Sequence, residues 1–216
     1  MENPKFIAQQ LRKPSGDFAR TIAEKMGTGN RPLYDLTLDF MEIVSHDTIL
    51  EIGFGNGEHF SELMAKADNL KVIGIDYSAE MTDLASSNNR DLIETGRLKL
   101  FTGSSDKLPF GENTFDVVFC NMVIYFWDDP TEHLSEIKRV LKPDGIFYTG
   151  MRSRNRMLQF PFTKYGFNLY KVDEWKSILG LNGFQVVEEI QKTDPAFDEF
   201  GDDIQLESVC IAAEIK

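Results

Sequence analysis

From residue 47 onward, hydrophobic and polar positions alternate between two periods. Runs rich in β-branched and aromatic residues fall at Thr48–Ile52, Lys71–Ile75, Leu98–Phe101, Phe115–Asn121 and Ile146–Tyr148. Between them apolar residues recur every three or four positions: Phe60, Leu63, Met64 and Ala67, then Met81, Leu84, Ala85 and Leu92, then Leu134, Ile137, Val140 and Leu141. The first pattern is that of strands and the second that of one helical face. Strands separated by single helices predict an α/β fold with a parallel, doubly wound sheet. A helix around Asp173–Leu179 and runs at Phe184–Ile190 and Ser208–Ile215 bring the predicted strands to seven.

The punctuation agrees with this division. Asp129-Pro130-Thr131-Glu132 carries a cap, a first-turn proline and a glutamate placed to reach back, which predicts a helix start. Lys142-Pro143-Asp144-Gly145 predicts a tight turn into the fifth strand. Upstream, Phe18, Ile22 and Met26 predict a helix that Gly27-Thr28-Gly29 ends, and Leu33, Leu36, Phe40, Ile43 and Val44 predict a second. The stretch Gln10–Gly16 reads as a polar loop.

The chemistry concentrates at Ile49-Leu50-Glu51-Ile52-Gly53-Phe54-Gly55-Asn56-Gly57 and at Lys71–Asp76. A strand ending in three alternate glycines allows a sharp turn and close ligand approach. An acid closing the next strand, Asp76, is placed to accept from ribose hydroxyls. The dinucleotide fingerprint has its third glycine one residue later, where this chain has Glu58. Glu51 and Glu58 suit a cationic ligand better than a pyrophosphate, which sets a nicotinamide oxidoreductase aside.

These residues resemble the first motif, E-x-G-x-G-x-G, of the class I S-adenosylmethionine-dependent methyltransferases, in particular the small-molecule, methyltransferase type 11-like kind. The resemblance implies a Rossmann-like methyltransferase fold whose seven-stranded, mostly parallel sheet takes its last strand antiparallel, with N-terminal helices as a lid. It implies S-adenosyl-L-methionine as cofactor, with Glu51 near the methionine end, the loop Gly53, Phe54, Gly55 and Gly57 beside it, and Asp76 and Tyr77 at the ribose. Met81 stands where a side chain packs on adenine, or is a core methionine. Gly103–Phe110 resembles the family's G-D-A-x-x-L-P-F segment, but Ser104 replaces the acid that accepts from adenine. Ser104, Ser105 or, with a different loop, Asp106 are the candidates there.

Asn121 and Met122 end the fourth strand, where open α/β sheets place ligands. Met122 and Val123 are not the Pro-Pro of nucleobase amino-methyltransferases, so that reading fails. Tyr125 is the candidate catalytic or substrate-positioning residue, or an aromatic packed on the next helix. Arg152, Arg154 and Arg156, followed by Phe160, Phe162 and Phe167, either clamp an anionic substrate or pair with surplus carboxylates. His46, His59 and His133 have no metal-ligand partner at helical spacing, and His133 is expected at the surface. No metal site is predicted.

Composition narrows the partners. With 23 basic and 35 acidic residues the net charge is −12, which argues against nucleic acid. Lys5, Arg12, Lys13, Arg20, Lys25 and Arg31 outnumber Glu2, Asp17 and Glu24, so the N-terminal arm is basic and is expected to dock on the acidic body. No segment reads as a membrane span or signal peptide. Two apolar-flanked cysteines, Cys120 and Cys210, fit a reducing, cytoplasmic setting. The expected organisation is one domain: a helical cap at 1–46, a cofactor-binding core at 47–150, and a substrate wall with two last strands at 151–216. The expected activity is in-line methyl transfer to a small molecule. The alternatives are a protein or other macromolecule as acceptor and a catalytically silent binder of the cofactor.

Overall fold

The structure is a computed structural model that describes residues 3–16, 18–199 and 202–216. Of the basic arm, Glu2 and Asp17 lie outside the described residues, as do the side chains of Glu24, Lys25 and Met26. Seven strands form one sheet: β1 (Thr48–Ile52), β2 (Lys71–Asp76), β3 (Leu98–Thr102), β4 (Phe115–Asn121), β5 (Leu141–Met151), β6 (Phe184–Thr193) and β9 (Glu207–Ile215). Their order is β3-β2-β1-β4-β5-β9-β6, and β9 runs antiparallel to both neighbours. The fold is the α/β, Rossmann-like architecture that the alternating pattern predicts. The predicted turn at 142–145 becomes a loop-out inside β5, because Phe115 pairs with Leu141 while Val117 pairs with Ile146. A hairpin of β7 (Phe197–Glu199) and β8 (Asp202–Ile204), absent from the sequence expectation, stands apart from the main sheet.

Helices cover both faces. They are α1 (Pro4–Arg12), α2 (Phe18–Phe40), α3 (Phe60–Met64), α4 (Ala79–Asn88), α5 (Arg90–Glu94), α6 (Pro130–Val140), α7 (Arg154–Met157) and α8 (Val172–Leu181). Consecutive strand residues enter opposite cores. Leu50 and Val118 pack with Leu134, Ile137 and Val140 of α6 and with Trp175 of α8. Ile49, Val117 and Phe119 pack with Tyr34 and Leu38 of α2 and with Phe60 and Leu63 of α3. Two apolar faces on every central strand explain the continuous β-branched runs.

The N-terminal region corrects two expectations. The segment Pro4–Arg12 is helical, with the Asn3 side chain capping it by accepting from Lys5 N, so Gln10–Arg12 are not loop. Further on, one continuous α2 replaces two helices and runs through Gly27, Gly29 and Pro32. Two interior glycines cost about 1 kcal/mol each relative to alanine, and proline more. Tertiary contacts offset that cost: Leu33 and Thr37 are fully buried, and Arg152 donates to Gly29 O at 2.9 Å. Gly27 also lies so close against the Glu58 carboxylate that a Cβ would collide with it. Among the described residues no helix is long and apolar enough to cross a membrane.

Candidate active site

The carboxyl ends of β1, β2 and β4 open into a cavity of about 1330 Å³ roofed by α1 and α2. The loop after β1 is folded tightly over its floor. Gly53 has φ +76°, is tied to β2 by Gly53 N–H donating to Ile75 O at 2.7 Å, and faces Val123 so closely that a Cβ would overlap it. Gly55 has φ +57°, with nothing within 4 Å where its Cβ would stand. Both positions need the left-handed backbone that glycine adopts without strain. Met122 adopts the same region, with φ 62°, and is held by donating its N–H to Gly150 O at 3.0 Å. A non-glycine residue there stores strain, which accumulates at functional sites.

Eleven of the residues expected at the cofactor site line this one cavity: Glu51, Gly53, Phe54, Gly55, Asp76, Tyr77, Met81, Ser104, Ser105, Asn121 and Met122. Gly57 does not. It packs behind the loop, where a Cβ would press on Ala85, Phe60 and Asn89. Asp76 accepts from Gly55 N at 2.9 Å and from Ser78 N at 2.8 Å, so the carboxylate pins the glycine loop as well as facing the cavity. Burial raises its pKa to about 6 against those two donors. Glu51 is 4% exposed, and burial raises its pKa to about 8. Tyr34 opposes that rise by donating to Glu51 Oε2 at 3.4 Å, while the negative charge of Asp76 adds to it.

Tyr34 carries no motif and escaped the sequence reading. Tyr34 lies off the apolar stripe used to predict its helix, and its ring stacks on His59 at 3.8 Å. Burial lowers the pKa of His59, whose Nδ1 has no hydrogen-bond partner. Asn121 is similar: its Oδ1 accepts from Thr37 Oγ1 at 2.9 Å while its Nδ2 is buried without a partner. His133 is buried rather than at the surface. Its Nδ1 is 2.7 Å from Ser105 Oγ and its ring lies parallel to Trp127 at 4.6 Å, because α6 starts against the loop after β3. Burial holds its pKa below the usual histidine value. Ser104 and Asp106 both line the cavity.

Tyr125 does not reach the cavity. It is fully buried, accepts from Arg152 N at 2.6 Å and donates to Arg152 O at 2.7 Å. Its hydroxyl is therefore occupied in fixing the start of the segment after β5. The arginines do not form an anion clamp. Arg152, 1% exposed, forms an ion pair with Asp194, which is 4% exposed. Arg154 binds Glu174 at 2.7 Å and Leu169 O, and Arg156 binds Glu207 at 2.8 Å. Surplus carboxylates thus claim all three, as a chain of net charge −12 favours. The N-terminal arm docks similarly: Arg12 pairs with Asp128 at 2.9 Å, and the Lys13 ammonium sits 4.5 Å from the Tyr77 ring centroid.

A glycine loop that leaves room for a close ligand, a buried Glu51 near the end of β1, a half-buried Asp76 closing β2 and unpartnered polar atoms fit a cationic nucleoside cofactor. Comparison with known proteins agrees. The family described as "Methyltransferase domain" matches residues 50–149. The protein YrhH of Bacillus subtilis (strain 168), named as a methyltransferase, is 34% identical over 143 residues, or 66% of this chain and 77% of that protein. The chain belongs to the class I S-adenosylmethionine-dependent methyltransferases, and its cofactor is S-adenosylmethionine. Among solved structures, the Haloferax volcanii protein in complex with the Trm112 methyltransferase activator superposes with a TM-score of 0.76 at 23% identity, covering 90% of this chain and 95% of that one. Geranyl diphosphate methyltransferase in complex with S-adenosylmethionine superposes with a TM-score of 0.71 at 16% identity, covering 94% and 92%. At these identities the two structures support the fold alone.

Proposed function

We propose that this methyltransferase acts on a small molecule enclosed beneath α1 and α2. The observation that carries the reading is the cavity: at about 1330 Å³ it exceeds the roughly 300–1,000 Å³ of a pocket for one drug-sized ligand, which leaves room for cofactor and acceptor together. Its lining draws on all three segments, a cap at 1–46, a cofactor-binding part at 47–150 and a wall at 151–216, so we treat them as one catalytic unit. Both cysteines are buried free thiols, which favours a reducing, cytoplasmic setting.

In this reading Asp76 accepts from the ribose hydroxyls, with Tyr77 beside it. Glu51 faces the positively charged methionine end, and Asn121 and Met122 border the methyl group. Gly53, Phe54 and Gly55 let the backbone approach, and Gly57 supports them by close packing. Met81, Ser104 and Ser105 line the adenine end. The bound cofactor supplies an activated methyl electrophile. The chain's work is then to hold a nucleophile in line and exclude water, and such positioning is worth up to about 7–11 kcal/mol in the best cases. Tyr125 contributes by positioning the wall through Arg152 and touches no substrate.

Incubation with methyl-labelled S-adenosylmethionine and a cell extract tests the acceptor. Label that passes a small-molecule filter supports the reading, and label retained on macromolecules overturns it. Asp76→Ala should weaken S-adenosylhomocysteine binding by about 10- to 100-fold, the loss of a charge-assisted hydrogen bond; unchanged binding refutes the ribose placement. A protein acceptor is the second reading, and label retained on macromolecules would move the assignment to it.

A further inference from the structure

The fold pins one polar side chain beside the loop after β3 that the proposed cofactor contacts leave without a task. His133, on α6, is 9% exposed and lines the cavity. Its Nδ1 is 2.7 Å from the Ser105 hydroxyl, and its ring lies within 8° of parallel to Trp127 at 4.6 Å. Trp127 is itself buried, and Asn168 donates to its carbonyl at 2.8 Å. Helix α6 also clamps the loop further on. Glu136 accepts from Leu108 N at 2.7 Å, while Arg139 donates to Leu108 O at 3.0 Å and to Phe110 O at 2.7 Å. The imidazole is thus fixed at one edge and on one face. Its other nitrogen, Nε2, has no hydrogen-bond partner among the described residues and is not sealed in the core, which leaves it open to the cavity.

Buried polar groups are normally hydrogen-bonded, so an imidazole held this firmly with one nitrogen unengaged is suited to a ligand. Burial favours the uncharged ring, against the pull of Asp106, Asp128 and Asp129. A neutral imidazole has one N–H and one lone pair. The Ser105 hydroxyl can accept from Nδ1–H, which leaves the lone pair on Nε2. An exocyclic amino group is a donor that needs such an acceptor. Adenine carries one, and at position 104, where the resembling motif has a carboxylate, this chain has only a hydroxyl.

We propose that His133 is a cofactor-binding residue whose Nε2 accepts from the 6-amino group of adenine, with Nδ1–H donated to Ser105 and Trp127 behind the ring. This rests on the reading that Ser104 and Ser105 line the adenine end. His133 then selects adenine over purines that lack the amino group, and takes no part in methyl transfer itself.

The test is calorimetric titration of the full chain with S-adenosylhomocysteine and with its analogue in which purine, carrying hydrogen in place of the 6-amino group, replaces adenine. The wild-type protein should bind the analogue about 3- to 10-fold more weakly, the worth of one neutral hydrogen bond. In His133→Leu the two ligands should bind equally, because the partner of the amino group is gone. A residue that only shapes the pocket would weaken both ligands alike and leave their ratio intact. His133→Gln, whose side-chain carbonyl can accept, should keep a preference of about twofold or more. Ser105→Ala, which frees the ring without removing it, should narrow the ratio to about twofold or less. A wild-type ratio of one overturns the proposal, as does an unchanged ratio in His133→Leu, or in Ser105→Ala where His133→Leu does not fold. Ser104→Trp, which fills the adenine end, should weaken S-adenosylhomocysteine at least about tenfold; if it does not, the failure lies with the placement of adenine rather than with His133 alone.

Discussion

With Glu51 placed at the methionine end as proposed, cofactor binding should depend on pH in one direction. Its carboxyl is held at about 8 against an ordinary 4.5, chiefly by burial. Each unit corresponds to about 1.4 kcal/mol, so ionised Glu51 is disfavoured by at most about 5 kcal/mol. The folded pKa is raised, so the contribution to empty-protein stability is greatest below 4.5, falls as pH rises toward 8 and is flat above. A positive methionine end beside Glu51 stabilises the carboxylate and lowers its pKa in the complex. Below pH 8 binding must then release a proton, and affinity rises with pH by up to about tenfold per unit. Between pH 6.5 and 8 this amounts to about 15-fold at most, because the slope flattens as pH approaches 8, above the range where Asp76, held at about 6, contributes its main change. The assay is calorimetric titration with S-adenosylmethionine in two buffers of different ionisation enthalpy, which counts the protons released. Glu51→Gln should bind about 10- to 100-fold more weakly at pH 8 through loss of a charged hydrogen-bond acceptor. Its slope should be shallower by the Glu51 contribution. The cofactor's own amino group titrates in both proteins, so the difference between slopes isolates Glu51. An equal slope in the variant refutes the reasoning.

Gly53→Ala should lower the melting temperature, since a left-handed alanine costs about 1–2 kcal/mol before its methyl meets Val123. Either Arg152→Met or Asp194→Asn should cost about 3–5 kcal/mol in denaturant unfolding by leaving one member of a buried ion pair alone, whereas the double change to Met and Leu should recover most of it. Tyr125→Phe should cost about 1–3 kcal/mol of stability through the Arg152 backbone groups it leaves unpaired. Its kcat should change less than tenfold while KM for the acceptor rises; a loss of kcat beyond a hundredfold would return Tyr125 to the chemistry.

The sheet was legible because β1 and β4 bury both faces, and strands that are mostly apolar on both sides leave a short, unmistakable run. The floor of the site was legible for a related reason: Gly53 and Gly55 are local demands of the backbone, and a local demand writes itself into adjacent residues. The roof was not legible. Gly27, Gly29 and Pro32 are helix breakers by intrinsic preference; the helix that contains them is held by the burial of Leu33 and Thr37 and by Arg152, far along the chain, while Glu58 leaves no room for a Cβ at Gly27. His133 was misplaced for the same reason, because its partners Ser105 and Trp127 come from two different loops.

The same division separates cofactor from acceptor. Arg152 gathers into one side chain the Gly29 carbonyl of α2, the Asp194 carboxylate after β6 and, through its backbone, the Tyr125 hydroxyl after β4. Roof, wall and floor of the cavity therefore share a fixed, charge-neutral post. An arginine that looks in the sequence like a hook for an anionic substrate is consumed in holding the enclosure together. What remains along the wall is aromatic surface from Phe126, Phe160, Phe162 and Phe167. Which arginines the fold has already used is a property of long-range pairing that no local motif records.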